Sequence, residues 1–555
     1  MHLSYINNRP PQPFRQNPAA AEMYGFASVS FASFAFLSSV QGLPFNPVDF
    51  GFYGHADPAR SQSAQSTTSS SLKVNRNDVA PGQANPQGYL TGSGSLTLAT
   101  ASGYARPTGT GSGYVWPNGN GTGYAYPTGT GFPTYPTSVS SATPTINATA
   151  TNSYNSTSTS VPSAPSNGSA NSALPEVLRG VNIGGWLVLE KWMNSSFFDD
   201  TDAVDQWTFD SCDNAEAKLQ AHWSSYFTES DVAQLASWGI NAVRIPIGYW
   251  AYDNSNTPYI SGADAYLEKA IGWCRTHGIK VLVDCHGSPG SQNGFDNSGR
   301  SGSAGWQIGD NMQRSIGILE TMAKKYGATE YADVVFGIEM VNEPISWAGN
   351  DIDTTKRWAK DAYTAIKGVA TNPNLNVIMH DAFEGPSAWQ EISDAINGGS
   401  SLADSKFWID THLYQNQVAA DSWLTQDQHI EKACNWTSSE LLPPSSNLPV
   451  IVGEFSAGTN ICANPDGSTV AGSACYIDGC QCSSNVPIEQ WNEPLITATR
   501  KFLEAELDTF EGAARGWFMW SYQGPGAWGY ANAVQYGLIG KNVTDRMFPG
   551  QCKSS

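Results

Sequence analysis

The chain has 555 residues and a formal charge of −20, although only 14% of its residues are charged. A strongly acidic protein repels phosphate backbones, so this composition excludes electrostatically driven binding of nucleic acid. The length exceeds the usual size of one hydrophobic core, and more than one region is therefore expected.

Residues 1–42 are predicted to be a leader that contains a signal peptide. The stretch 23–43 carries no charge and could form the apolar segment, with Arg9 and Arg15 before it and Val-Gln-Gly at 40–42 as a small-residue cleavage site. The part before it is long for a signal peptide, so Met23 is an alternative start. Five serines within residues 24–40 argue against a membrane anchor.

Residues 43–173 are predicted to be a disordered spacer. Between residues 79 and 175 the only charged side chain is Arg106, and branched apolar residues are few. Such a segment cannot bury enough apolar area to offset the entropy of ordering it. Ten-residue repeats begin at Gly103, Gly113 and Gly123, and we interpret them as a flexible spacer, with weak aromatic contact to polysaccharide as the alternative.

Secretion is the expected fate of the chain. Residues 137–172 are rich in Ser, Thr and Pro, a composition typical of O-glycosylated stalks. Seven Asn-x-Ser/Thr sequons would accept glycans in the secretory pathway; they lie at Asn120, Asn147, Asn155, Asn167, Asn194, Asn435 and Asn542. We expect an extracellular or cell-wall-associated glycoprotein.

All nine cysteines fall in the predicted folded region, residues 174–555. Four of them, Cys462, Cys475, Cys480 and Cys482, lie within 21 residues, but the spacing lacks the two C-x-x-C pairs of a zinc ribbon. Disulfides formed in an oxidising compartment fit better. The odd total leaves at least one free thiol, for which Cys274 and Cys285 are the favoured candidates because each lies in an apolar element.

The folded region alternates short apolar runs with amphipathic helical patterns. Eight strands are predicted, at 178–183, 242–247, 280–284, 334–340, 376–380, 406–410, 449–452 and 516–520. Helices are predicted between them, for example at 263–278 and 314–327. Eight such units predict a (β/α)8 TIM barrel. The alternative is an open doubly wound sheet, but GVNIGGW after the first strand lacks the spacing of a phosphate-binding loop.

Polar or aromatic side chains stand at or near the ends of these strands, where a barrel places its active site. They are Glu190, Arg244, His286, Asn342, Glu343, His412, Tyr414, Glu454 and Trp520. Glu343 and Glu454 could flank a glycosidic bond as the two carboxylates of a retaining glycosidase. Arg244, His412 and Tyr414 could keep Glu454 ionised, Asn342 suits a sugar 2-hydroxyl, and Trp520 offers a flat floor to a sugar ring. The competing interpretation is a set of structural ion pairs at the barrel rim.

Residues 178–552 resemble glycoside hydrolase family 5, especially the fungal exo-β-1,3-glucanases. The segments that carry the resemblance are LRGVNIGGWLVLE, NAVRIPIGYWAY, VDCHGSPGSQNGFDNSG, GIEMVNEP, HLYQ, IVGEFSAG and YGLIGKNVTDRMFPGQC. The resemblance implies that Glu343 is the acid/base and Glu454 the nucleophile. It also implies that Glu190 binds the terminal glucose, that the other strand-end residues with Phe295 and Asp296 bind substrate, and that Cys434 pairs with Cys552.

Two departures from the family pattern fall on the acceptor side of the site. Asn416 and Gln417 stand where a second clamping phenylalanine region would begin, and a run WSYQ begins at Trp520 where relatives have WSWK. They leave the linkage preference open. The sequence therefore predicts a secreted, monomeric, retaining β-1,3-glucan exohydrolase that acts on fungal cell-wall polysaccharide. The alternatives are a β-1,6-glucanase, a wall-remodelling transglucosylase or a non-catalytic glucan-binding glycoprotein.

Neither a cofactor nor a metal is expected. Glycoside hydrolysis by two carboxylates needs no cofactor. The eight histidines are scattered and form no H-E-x-x-H pair.

Overall fold

The computed structural model describes residues 173–417, 420–441 and 446–552. The predicted leader (1–42) and all but the last residue of the predicted spacer (43–173) lie outside the described residues. Their boundaries, and the expected disorder of the spacer, remain predictions.

Eight parallel strands form a barrel. They are β1 (Leu178–Asn182), β2 (Ala242–Gly248), β3 (Lys280–Gly287), β4 (Val335–Glu339), β5 (Asn376–His380), β6 (Phe407–His412), β7 (Val450–Glu454) and, after three short strands outside the barrel, β11 (Gly516–Met519). They pair in this order, and β11 returns to β1. The predicted TIM barrel is confirmed, and the open doubly wound sheet is wrong because these eight strands close on themselves.

Ten α-helices connect or follow the strands. They are α1 (Gln206–Phe209), α2 (Ala215–Ser225), α3 (Glu229–Ser237), α4 (Asp264–His277), α5 (Asn311–Tyr326), α6 (Ile352–Val369), α7 (Gln390–Asn397), α8 (Gln426–Ser439), α9 (Glu493–Ala513) and α10 (Tyr530–Gln535) among the described residues. Helix α4 ends where predicted, because Gly278 adopts a left-handed φ of 73° that side chains disfavour. In the part of the chain that the structure describes, no helix is both long and apolar enough to cross a membrane.

The lower interior of the barrel is filled by one apolar side chain from each strand. The eight buried residues are Leu178, Ala242, Leu282, Phe336, Ile378, Trp408, Ile451 and Phe518. Glycine at position 180 is required here, since a Cβ would lie 2.2 Å from the ring of Phe518. This layer closes the barrel below the site and makes it a packed core.

A polar layer lies directly above the apolar one. Side chains alternate between the two faces of a strand, so the residue two positions later again points inward. Two residues beyond the apolar layer stand Arg244, Asp284, His380 and Asp410, all fully buried. The sequence therefore builds a barrel whose interior turns from apolar to charged toward the carboxyl ends of its strands.

A small antiparallel sheet that the sequence analysis did not predict follows β7. Its strands β8 (Ile461–Ala463), β9 (Thr469–Ala471) and β10 (Gln481–Cys482) pair in the order β10–β8–β9. It contains the Cys462–Cys482 disulfide, and a second one, Cys475–Cys480, lies in the loop between β9 and β10. The four clustered cysteines thus pair among themselves.

A third disulfide, Cys434–Cys552, joins helix α8 to the C-terminal segment. The free cysteines among the described residues are Cys212, Cys274 and Cys285. Cys274 and Cys285 are buried, and Cys212, which the sequence analysis did not single out, is partly exposed.

Candidate active site

Glu343 and Glu454 come together at the carboxyl ends of β4 and β7. Glu454 is the last residue of β7, and Glu343 lies four residues past the end of β4. The backbone of Glu343 has a φ of 45°, a left-handed conformation that costs energy in a residue with a side chain. Both residues are buried, with 8% and 5% of their surfaces exposed. The fold thus holds two carboxyl groups in a mostly dry cleft.

One imidazole nitrogen faces both carboxyl groups. The Nδ1 atom of His412 lies 2.8 Å from Oε1 of Glu343 and 3.5 Å from Oε2 of Glu454. These two distances together place the two oxygens no more than about 6.3 Å apart. This is compatible with the roughly 5–5.5 Å between carboxyl groups in retaining glycosidases.

Each carboxyl group has further donors of its own. Nη1 of Arg244 lies 3.1 Å from Oε1 of Glu454, and the Tyr414 hydroxyl donates to Oε2 at 2.8 Å. The amide of Asn297 donates to Oε2 of Glu343 at 2.8 Å. Glu454 therefore has a permanent cation beside it, whereas the neighbours of Glu343 are a neutral amide and the titratable His412.

The charge of His412 sets the protonation of the pair. Burial raises the pKa of Glu454 and outweighs His412 and Arg244. Burial also opposes ionisation of Glu343, but the hydrogen bond and charge of His412 outweigh it and lower its pKa. Burial opposes the charge of His412 as well, yet Glu454, Asp410 and Glu343 hold the His412 pKa well above its usual value.

An acid at Glu343 and an ionised nucleophile at Glu454 would require a raised pKa at Glu343 and a lowered pKa at Glu454, and these two directions are reversed here. The difference depends on whether one proton is assigned to His412 or to Glu343, which share a hydrogen bond. Moving it from Nδ1 of His412 to Oε1 of Glu343 leaves the net charge of the site unchanged, so the two groups titrate together. The pair His412 and Glu343, rather than either residue alone, can supply an acidic proton.

Arg244 is the centre of a buried charge network. Its guanidinium lies within 3.1 Å of carboxylate oxygens of Asp284, Glu339 and Glu454, and 3.7 Å from Asp410. The side chains of Arg244, Asp284, Glu339 and Asp410 are fully buried. Arg244 was predicted as a site residue, but its three acidic partners on β3, β4 and β6 were not. The signal for them was a charged residue inside an otherwise apolar strand.

Three polar side chains are anchored at one end and unpartnered at the other. Asn342 accepts from Arg244 at 2.8 Å, His286 Nδ1 lies 2.6 Å from Asp284, and Glu190 accepts from Trp192 at 2.8 Å. Their opposite atoms, Nδ2, Nε2 and Oε1 respectively, are buried without a hydrogen-bond partner in the described structure. Buried polar atoms without partners are costly, and this mixture of donors and acceptors suits the hydroxyl groups of a sugar.

Aromatic rings form two walls of the site. Trp520 stacks on His286 with ring centroids 5.5 Å apart, and 3% of its surface is exposed. On the other side, Trp528 contacts both Tyr414 and Trp192, at 5.3 and 5.1 Å between ring centroids. The sequence analysis missed Trp192 and Trp528, which follow β1 and β11.

The loop after β3 borders the acid side of the cleft. Phe295 and Asp296 precede Asn297, the residue that donates to Glu343, and Asp296 is close enough for the charge of Glu343 to affect it. Phe295 is partly exposed, as an aromatic contact for an acceptor sugar would require. Burial raises the pKa of Asp296 to about 6.

The departures in the run after β11 point away from the carboxyl pair. The Tyr522 hydroxyl donates to Asp231 at 2.8 Å, and the Gln523 amide donates to the backbone oxygen of Tyr226 at 3.0 Å. Gln417, by contrast, is exposed. The altered WSYQ run therefore packs into the barrel wall.

Three groups of side chains among the described residues are close enough to ligate a cation by distance alone, and one of them consists of disulfide-bonded cysteines (Cys462, Cys475 and Cys482). The other two lie at the active site. Ligand atoms of Glu343, His380 and His412 lie within 4.8 Å of one another, as do those of Glu339, Asp410 and His412. Arg244 already places positive charge against Glu339 and Asp410. The chemistry available from the described residues is that of carboxyl groups, imidazole and guanidinium.

Comparison with known proteins agrees with this geometry. A family model described as cellulase (glycosyl hydrolase family 5) matches residues 204–474. "Glucan 1,3-beta-glucosidase 1" of Schizosaccharomyces pombe is 37% identical over 393 residues, which cover 68% of this chain and 91% of the relative. The chain belongs to glycoside hydrolase family 5. This hydrolase is accordingly a retaining glycosidase.

Other relatives extend the match. "Glucan 1,3-beta-glucosidase" of Candida oleophila is 38% identical, with coverage of 68% of this hydrolase and 91% of the relative. "Glucan 1,3-beta-glucosidase I/II" of Saccharomyces cerevisiae is 36% identical, with coverage of 69% and 89%. Among solved structures, rutinosidase from Aspergillus niger has a TM-score of 0.51 at 20% identity and covers 65% of this hydrolase and 97% of that chain. This last similarity shows the fold alone.

Proposed function

We propose that this hydrolase removes glucose from the non-reducing ends of β-1,3-glucan with retention of configuration. The observation that carries the proposal is the approach of Glu343 and Glu454 to a single nitrogen of His412, at 2.8 and 3.5 Å. Two carboxyl groups at this spacing can attack a glycosidic carbon and protonate the leaving oxygen. The names of the curated relatives support β-1,3-glucan as the substrate.

In the first step, Glu454 attacks the anomeric carbon while the aglycone oxygen takes a proton. Glu343 delivers this proton, and His412 passes its own proton to Glu343 across their hydrogen bond. The bond to the leaving sugar breaks, and a covalent glucosyl ester forms on Glu454. Arg244, at 3.1 Å, and the Tyr414 hydroxyl, at 2.8 Å, stabilise the attacking carboxylate and orient it.

In the second step, Glu343 removes a proton from water, and the water oxygen attacks the same carbon. The ester bond breaks, Glu454 leaves as a carboxylate, and glucose departs in the β configuration. The free Nδ2 of Asn342 is placed to donate to the sugar 2-hydroxyl, an interaction that strengthens in the transition state.

The side chain of Glu190 is the basis for proposing exo action. One oxygen is fixed by Trp192, while the other is buried and unpartnered. Burial, reinforced by the nearby charge of Asp296, raises its pKa well above the usual value. A terminal glucose can satisfy this carboxyl group with its outer hydroxyls, whereas a continuing chain would carry a glycosidic bond there.

Product analysis tests this function. The protein is incubated with laminarin and with pustulan, a β-1,6-glucan, while the anomeric protons of the first product are followed by NMR. We expect β-glucose from laminarin and at least tenfold slower release from pustulan. α-Glucose as the first product would refute retention, oligosaccharides would refute exo action, and faster release from pustulan would refute the linkage. Glu454→Ala serves as the inactive control.

We also propose that the protein is secreted and remains outside the cell or at the wall. The support is the apolar stretch at 23–43, the sequons and the three disulfides. Detection of the full chain in the intracellular fraction of the source organism, with none in the medium or wall, would overturn this proposal.

A further inference from the structure

Three large apolar side chains are exposed on the segments that follow β6 and β7. Trp423 is 74% exposed, Tyr476 79% and Ile477 54%. We call these three residues the aromatic platform. Exposed apolar side chains that lie close together on a soluble protein mark interaction sites more often than isolated ones do.

Trp423 is held in place from two sides. It ends a short 3-10 turn, Asp421–Trp423, in which Asp421 pairs with Lys432 at 2.6 Å. The preceding residue, Ser422, accepts a hydrogen bond from Asn460 at 3.0 Å. The ring lies against Gly472, where an added Cβ would be 3.3 Å from Cζ3 of Trp423. The ring therefore lies close to the backbone at Gly472, while most of the side chain stays open to solvent.

Tyr476 is tethered beside the same point. It follows Cys475, whose sulfur lies 3.4 Å from the sulfur of Cys482. Cys482 is bonded to Cys462, and the Cys462 sulfur lies 3.3 Å from the carbonyl oxygen of Gly472. Trp423 and Tyr476 thus flank one disulfide, and the Cys475–Cys480 bond closes the short loop that carries Tyr476 and Ile477.

The backbone that follows β7 connects the active site to the turn that carries Trp423. Four residues after Glu454, an added Cβ at Gly458 would lie 3.3 Å from Nε1 of Trp528. Trp528 packs on Tyr414, which donates to Glu454. Two residues beyond Gly458, Asn460 bonds to the turn that carries Trp423. The backbone from Glu454 to Asn460 therefore links the carboxyl pair to the turn that carries Trp423.

We propose that the aromatic platform is a second binding site for a β-glucan chain, which holds the polymer while its end is cut. The inference rests on the proposed function. Aromatic rings present flat apolar faces that suit the C–H faces of pyranose rings. The chain has a net charge of −20, so a neutral polysaccharide fits this surface better than an anionic partner does. Two disulfides keep the rings preorganised, which lowers the entropic cost of binding.

The kinetic test compares a polymer with a substrate too short to reach the platform. The double variant Trp423→Ala, Tyr476→Ala is assayed on laminarin and on an aryl β-glucoside. We expect kcat/KM on laminarin to fall roughly threefold to tenfold, as loss of one or two stacking contacts would give, with the aryl glucoside unaffected. The matched control is Met547→Ala, which removes another exposed apolar side chain, 59% exposed. An equal fall on both substrates, or no fall, overturns the proposal.

A binding test separates the platform from the catalytic proposal. Glu454→Ala cannot turn over, so its migration through native gels cast with laminarin reports binding alone. We expect retardation by laminarin, and its reduction when Trp423 and Tyr476 are also replaced by alanine. Unchanged retardation overturns the platform. If the wild-type protein releases no glucose from laminarin, the proposed function fails, yet the gel result still decides whether the platform binds glucan.

Discussion

The Nδ1 atom of His412 lies 2.8 Å from Oε1 of Glu343. Because the two groups share one proton, acid catalysis should persist with rising pH until the pair of His412 and Glu343 loses that proton. The pKa of His412 is held well above its usual value, chiefly by Glu454 against the effect of burial. In His412→Asn the proton must stay on Glu343 alone, so we expect the basic limb of the kcat/KM profile to move to lower pH.

The measurement is the pH dependence of kcat/KM on a laminari-oligosaccharide. We expect kcat to fall by roughly 10²-fold, within the range that general acid–base catalysis contributes. His277→Asn, a variant of a partly exposed histidine at the end of α4, is the control and should keep the wild-type profile. A basic limb that does not move in His412→Asn would show that His412 takes no part in holding the proton.

The two proposed carboxyl roles can be separated by azide, a small nucleophile. In Glu343→Ala the glucosyl ester on Glu454 should still form from 2,4-dinitrophenyl β-glucoside, whose leaving group needs no acid. Azide should then release β-glucosyl azide. In Glu454→Ala azide should replace the missing nucleophile and give α-glucosyl azide. NMR of the glucosyl azides gives their configuration. An α product from Glu343→Ala and a β product from Glu454→Ala would show that Glu343 is the nucleophile and Glu454 the acid/base.

The buried guanidinium of Arg244 should be a major contributor to stability as well as to catalysis. Arg244→Met leaves Asp284, Glu339 and Asp410 buried without their cation. Removing one partner of a buried ion pair costs roughly 3–5 kcal/mol. We expect a loss of at least this size in the free energy of unfolding, measured with urea at pH 7.

The pH dependence of that loss has a defined sign. Burial raises the pKa of Glu339 well above its usual value, against the charge of Arg244. Without that cation, the unfavourable contribution of this buried carboxylate appears as the pH rises and fades toward acid. The deficit of Arg244→Met should therefore shrink below about pH 5. Arg179→Met is the matched control, because Arg179 and Glu511 form a pair that is 26% and 23% exposed. Its loss should be about 1 kcal/mol or less, and an equal loss in both variants would contradict the prediction.

Much of the barrel could be predicted from the sequence, because eight apolar runs separated by amphipathic helices leave few architectures. The carboxyl pair could be predicted as well, since Glu343 and Glu454 sit where parallel strands end. The inward polar layer was missed at Asp284 and Asp410, although each lies two positions after an inward apolar residue of its strand. Both were predicted as the last residues of strands 280–284 and 406–410, so the alternation that points them inward could have been read from the sequence.

Contacts between distant loops could not be predicted in this way. Asn297 reaches Glu343 from the loop after β3, across 46 residues of sequence. Trp528 packs on Trp192 only because β11 returns to β1 when the barrel closes. These contacts depend on how the loops pack above a closed barrel, which periodicity and spacing do not encode.

Asp210 provides a test of stability that is independent of the active site. Its side chain is buried at the end of α1; Oδ2 accepts from the backbone of Ile260 at 2.8 Å, while Oδ1 has no partner in the described structure. Burial raises the pKa of Asp210 from its ordinary 3.8 to about 7, against the hydrogen bond from Ile260. The Asp210 carboxyl group therefore stays protonated in the folded protein over a pH range in which it is ionised in the unfolded chain.

The sign of the effect follows from that difference. The contribution of Asp210 to stability is fully present below the unfolded pKa, near 4, and is lost as pH rises toward the folded value of about 7. Asp210→Asn removes this dependence and keeps an acceptor for Ile260. At about 1.4 kcal/mol per pKa unit, the variant should be more stable than the wild type at pH 7.5 by up to about 4 kcal/mol. The advantage should vanish near pH 4. Urea unfolding at both pH values measures it, with the exposed Asp199→Asn as the control; a variant less stable at pH 7.5 would mean that the Asp210 carboxylate is ionised and stabilising in the folded protein.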